Sequence, residues 1–164
     1  MNILVKATPA KKAKTKESQT IAYAYAVVLV ILVVAQLFSF DKFLPLLENF
    51  MLPGGIPIAH LFGGLIVASE VLALPFLLGF KLSPLMRVTS MALGWLAPLL
   101  WFVLTTWLMI STNSASNVGF FGSVINLSPG WWAVFVSIAL GILAAWSSWG
   151  LWPFDAHPAV PSKK

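Results

Sequence analysis

Four stretches of this chain, 20–40, 58–80, 85–110 and 130–152, are almost wholly apolar, and each reaches the roughly 20 residues a helix needs to cross a bilayer. Inside lipid every backbone N–H and C=O must find its partner within the protein, so these spanning stretches are expected to be helices. The expected fold is all-α, a polytopic membrane protein built as a four-transmembrane-helix bundle, with short connections that give it up-down topology. Charged residues make up only 9% of the chain and mean hydropathy is +0.90, whereas a soluble domain carries about 25% charged residues.

The net charge of +5 invites a nucleic-acid partner, but its placement argues for lipid. Lys6, Lys11, Lys12, Lys14 and Lys16 crowd one flexible N-terminal tail, 1–19, among Ala, Thr and Pro and with no apolar period. Such a tail is a topology signal or a contact with anionic lipid. The expected partner is therefore the bilayer, and no nucleic acid. With four spans, the tail shares a side with Lys81, Arg87 and the C-terminal tail 153–164, which leaves only Lys42 opposite. The positive-inside rule then places both termini in the cytoplasm. The first apolar run exceeds the about 7–15 residues of a signal-peptide core, and no small-residue cleavage site follows it, so it reads as a retained span. Trp107, Trp131 and Trp132 suit the outer membrane interface and Trp149 and Trp152 the inner one, while Trp95 and Trp101 fall nearer mid-span.

Between the first two spans, 41–57 holds three prolines, a Gly-Gly pair and both signs of charge, which stop a span from continuing. Phe43, Leu44, Leu46, Leu47 and Phe50 keep it apolar, as befits a short amphipathic helix lying along the interface.

Glu70 sits near the centre of the second span. A carboxylate at the bilayer midplane costs about 3 kcal/mol on insertion scales, so it is expected to face the bundle interior, stay protonated or find a partner. Gly63 and Ala73 share its face of the helix, and the fourth span has its own small stripe, Ser137, Gly141 and Ala145. Small residues at such spacing suit close helix packing in lipid, so the second span is expected to pack against the fourth with Glu70 turned inward. Pro75 and Pro98 cannot donate to the carbonyls of Val71 and Gly94. A protonated Glu70 could donate to the Gly94 carbonyl, and the Trp95 indole to Glu70. The intramembrane polar cluster expected is thus Glu70, Trp95, Gly94, Pro75 and Pro98. Two roles stay open for it: an interhelical hydrogen-bonding pin, or a group that handles a proton or a ligand.

His60, Asp41, Glu48 and Gln36 form a second group toward the outer interface. A ligand site could be built there, for example for a quinone head group held by ring stacking and one or two hydrogen bonds. The competing reading is a solvated loop beside an interfacial histidine. No metal is expected, because the sequence has no cysteine and no metal-ligand cluster. The two histidines, His60 and His157, fall on opposite sides of the membrane, which removes a bis-histidine haem within one chain. There is no Gly-rich phosphate loop and no nucleophile elbow.

The order of features resembles the DoxX-like family of small four-helix integral membrane proteins. The match runs over about residues 20–110: a first span ending in FDKFLPLLENF, a Pro/Gly break, the second span AHLFGGLIVASEVLALPFLLGF, and a third span opening at Arg87 with RVTS. Glu70 holds the acidic position midway along the second span that is most characteristic of the resemblance. The resemblance implies an accessory or quinone-linked subunit of a membrane redox system, serving thiosulfate or thiol oxidation or oxidative-stress defence, in a prokaryotic inner membrane. It implies a non-catalytic subunit rather than a stand-alone enzyme, a non-covalent quinone as cofactor, and a protein partner or homo-oligomer. Two other functions compete with it: a small oligomeric proton, cation or solute transporter using Glu70, and a structural assembly factor.

Overall fold

The computed structural model describes residues 7, 13–111 and 115–152. The remainder of the basic tail and the C-terminal tail 153–164, with His157, lie outside the described residues. Five helices follow one another: α1 (Lys16–Phe38), α2 (Phe40–Glu48), α3 (Gly55–Leu77), α4 (Pro84–Ile110) and α5 (Trp131–Gly150). Of these, α1, α3, α4 and α5 are long and apolar enough to cross a membrane. The chain is a multi-pass integral membrane protein with the expected four-helix bundle.

The helix ends are set by local chemistry that shifts several boundaries. α1 begins inside the stretch expected to be a flexible tail, because Thr15 and Ser18 form a capping box. The Ser18 N–H donates to Thr15 Oγ1 (3.1 Å), and the Thr15 N–H donates to Ser18 Oγ (3.3 Å). At the other end Ser39 Oγ donates to the Ala35 carbonyl (3.0 Å), and the chain turns at once into α2. α2 buries Phe43 and Leu47, one helical turn apart, as an amphipathic helix should. It lies on α3 at Gly63, where a Cβ would fall 2.8 Å from Leu44 and 2.9 Å from Leu47. Gly63 does admit a neighbouring helix, but the helix is α2. α3 stops three residues before the end of its apolar run in a Schellman turn. There Gly79, at φ +71°, lets its own N–H donate to the Phe76 carbonyl (3.2 Å) and the Phe80 N–H donate to that of Pro75 (2.9 Å). Ser83 then caps α4, accepting from the Met86 N–H (3.3 Å), with Pro84 in the first helical position.

The spanning helices form a ring in chain order: α1 packs on α3, α3 on α4, α4 on α5, and α5 back on α1. This corrects the expectation that the second span packs against the fourth. α3 and α5 stand diagonally opposite, each spanning helix packing beside its neighbours in chain order. Of the two small stripes, Ala73 meets Gly94 of α4 (3.5 Å to a Cβ built there), whereas Gly141 meets nothing. Ser137, Gly141 and Ala145 line a groove with Trp95, Pro98 and Phe102 on the outside of the α4–α5 seam.

Polarity runs from inside to outside in the reverse of a soluble protein. Val27, Val30, Ile31 and Val34 of α1 are exposed, as are Phe135, Ile138 and Ile142 of α5, while Gln36, Ser69, Glu70, Thr105, Ser137 and Ser147 are buried. Apolar side chains face lipid and polar ones find each other within. Such bonds tie the helices to one another. Thr105 Oγ1 and Ser137 Oγ (3.2 Å) join α4 to α5, and Tyr25 joins α1 to α4 across the bundle.

Candidate functional site

Glu70 faces the interior and is fully buried. The residues around it differ from those expected. The Trp101 indole Nε1 donates to Glu70 Oε1 (2.9 Å), and Gln36 Nε2 donates to the same oxygen (3.4 Å). Gln36 Nε2 also donates to the Phe120 carbonyl (3.0 Å), which ties the pair to the segment 111–130 that joins α4 to α5, the outer loop. Phe120 is buried, its ring 4.5 Å from that of Trp101 and 5.9 Å from that of Trp132. The site thus draws on α1, α3, α4 and one loop residue, closed over by an aromatic pair.

Trp95, expected to donate to Glu70, instead donates to Ser148 Oγ on α5 (2.9 Å) and is 44% exposed. The reason is helical phase. At roughly 100° per residue, Trp95 stands well off the Gly94 face, whereas Trp101, two turns on, returns to it. A face running through Ser90, Gly94, Trp101 and Thr105 at intervals near 3.5 residues is the signal that could have selected the right indole.

The Gly94 carbonyl, freed by Pro98, is also satisfied differently. Tyr25 Oη on α1 donates to it (2.6 Å), so Glu70 is not its donor. A buried tyrosine hydroxyl needs a partner, and a proline-orphaned carbonyl needs a donor; each meets the other's need. Near Pro75 the hydroxyl of Ser90 enters the α3 ladder. Ser90 Oγ accepts from the Phe76 N–H (3.1 Å) and donates to the Leu72 carbonyl. Side chains that insert this way re-satisfy a broken helix in lipid. Tyr25, Ser90, Trp101 and Phe120 are the members of the core that the sequence reading missed.

The outer group does not assemble. His60 Nε2 and Glu48 Oε1 are 2.7 Å apart at the surface. Asp41 lies at the other end of α2, lining a shallow cavity of about 340 Å³ with Ser39, Lys42 and Ser123. Gln36 belongs to the Glu70 cluster. Seven residues of helix, roughly 10 Å, separate Asp41 from Glu48, so the four residues do not line one site.

One feature gives the inner cluster a capacity beyond packing. Among the described residues, Glu70 Oε2 and Gln36 Oε1 are buried without a hydrogen-bond partner. They sit on two side chains that touch each other. Each such atom costs about 1–3 kcal/mol, and native interiors hold few of them without cause. Each of the two oxygens can accept a hydrogen bond, next to the Trp101–Phe120 ring pair. No family model, curated protein or solved structure matches this chain.

Proposed function

We propose that this chain is a DoxX-like accessory subunit of a membrane redox system in a prokaryotic cytoplasmic membrane, linked to quinone through the Glu70 cluster. The observation that carries the reading is the pair of unpartnered buried oxygens, Glu70 Oε2 and Gln36 Oε1, beside the Trp101–Phe120 ring pair. A quinol hydroxyl suits either oxygen as an acceptor, and the aromatic pair offers a surface for the ring. The outer group is a weaker candidate for this task, since His60 and Glu48 pair at the surface while Asp41 lies at the other end of α2. Access to Glu70 requires Phe120 to move, because its carbonyl and ring close the cluster.

Proton or cation transport is less well supported. A relay needs neighbours that both take and give a proton, and the indole of Trp101 only donates. Thiosulfate or thiol oxidation and oxidative-stress defence are the settings the family resemblance suggests, with a catalytic partner supplying the chemistry. Purified in mild detergent from its own membrane, the chain should retain extractable quinone or a co-purifying oxidoreductase subunit. Finding neither, together with no saturable binding of a short-chain quinone analogue, removes the reading.

A further inference from the structure

A cavity of about 570 Å³ opens at the basic end of the bundle, far from Glu70, where the start of α1 meets the ends of α3 and α5. Its lining divides in two. Lys14, Thr15, Lys16 and Gln19 form a polar rim, while Ala22, Leu77, Leu78 and Leu151 form an apolar wall, with Tyr23 between them. Ala22 and Leu77 are buried at the back of the wall.

Three features of the rim point to an anion. Among the described residues no carboxylate lines the cavity, and two lysines do. Lys14 is fixed rather than free-swinging: its N–H donates to the Gly150 carbonyl (3.1 Å) and its Nζ stands 5.1 Å over the Trp149 ring. Such contact with an aromatic face leaves the charge available on its open side. The Tyr23 hydroxyl accepts from Gln19 Nε2 (3.0 Å) and keeps its own proton for another acceptor. Cation above, hydroxyl donor at mid-height and aliphatic wall below match the profile of a phospholipid at the depth where head group gives way to acyl chain. Basic pockets between spanning helices are a recurrent form of acidic-lipid recognition.

We infer that this cavity seats one anionic phospholipid from the leaflet at the basic end. Its phosphate lies between Lys14, Lys16 and the Tyr23 hydroxyl, and its proximal acyl chain runs along Leu77, Leu78 and Ala22. The site is independent of the Glu70 cluster, and so is its test.

The full chain would be placed in nanodiscs of mixed phosphatidylglycerol and phosphatidylcholine, and retained lipid counted by native mass spectrometry after release. One phosphatidylglycerol should stay bound in preference to phosphatidylcholine. Lys14→Gln and Lys16→Gln should each lower that preference about fivefold, the order of one lysine's attraction to an acidic lipid surface. Neutralising Lys6, Lys11 and Lys12 together should leave it in place. The inference is overturned if the triple tail variant abolishes the preference while Lys14→Gln and Lys16→Gln do not, since the charge would then act as a diffuse tail. It is overturned equally if millimolar inorganic phosphate displaces the lipid, which would make the rim a site for free phosphate.

Discussion

Glu70 was legible from sequence because one acid in a long apolar run has few innocent explanations. Its partners were not, because they depend on quantities a linear reading resolves poorly. Trp95 and Trp101 are both mid-span indoles, and only the phase of α4 separates them. Tyr25 carries no charge to draw notice in α1, and it reaches the carbonyl freed by Pro98, which had been reserved for Glu70. That bond gives a prediction. Tyr25→Phe leaves the Gly94 carbonyl without its donor and should lower stability by about 1–2 kcal/mol in a denaturant titration. Tyr23→Phe, at an exposed position, should change it by less than about 0.5 kcal/mol. Equal effects would mean that the Tyr25 bond does not hold α1 to α4.

At the scale of elements, hydrophobic length placed all four spans, and the Pro/Gly break placed α2. The misplaced boundaries lie where caps override composition. The Thr15–Ser18 box draws a helix out of a lysine-rich tail, and the Schellman turn at Gly79 ends α3 while the residues are still apolar. The outer loop was the least legible element, since nothing periodic marks Phe120 as a residue that enters the bundle. Asn117 is its clasp. Its Nδ2 donates to the Gly122 carbonyl (2.9 Å), and its Oδ1 accepts from the N–H groups of Gly119 (3.0 Å) and Leu127 (3.2 Å). Gly119 and Gly122 take the positive φ values, +89° and +57°, that the tight fold requires. Asn117→Ala should therefore speed amide exchange of the loop about tenfold or more, for a loss near 1.4 kcal/mol, while α4 and α5 keep their protection. Unchanged exchange would assign the loop's order to Phe120 packing alone.

The molecule as a whole is a ring of four helices whose polar side chains meet along the inner seams, with α2 and the outer loop closing the end opposite Lys14, Lys16, Lys81 and Arg87. Fold class and up-down order followed from span length and short connections. The placement of α3 across from α5 did not, because a stripe of small residues reads the same whether it faces a helix or lipid. Gly141 turned out to face outward. The architecture gathers one buried carboxyl, one amide and two aromatic rings at a single point, and leaves one oxygen on each polar group unpartnered.

The proposed role of this cluster is to bind a ligand, beyond holding helices together. The most direct test measures Glu70→Gln twice: its affinity for a short-chain quinone analogue, and its thermal midpoint in the same detergent. Glutamine keeps the shape and an acceptor for Trp101 while removing the carboxyl. A ligand-binding Glu70 should give a midpoint within about 4 °C of the parent and an affinity lower by about tenfold or more, a change near 1.4 kcal/mol. A variant that binds the analogue as the parent does, or that loses its fold, would contradict the claim and make Glu70 a packing pin.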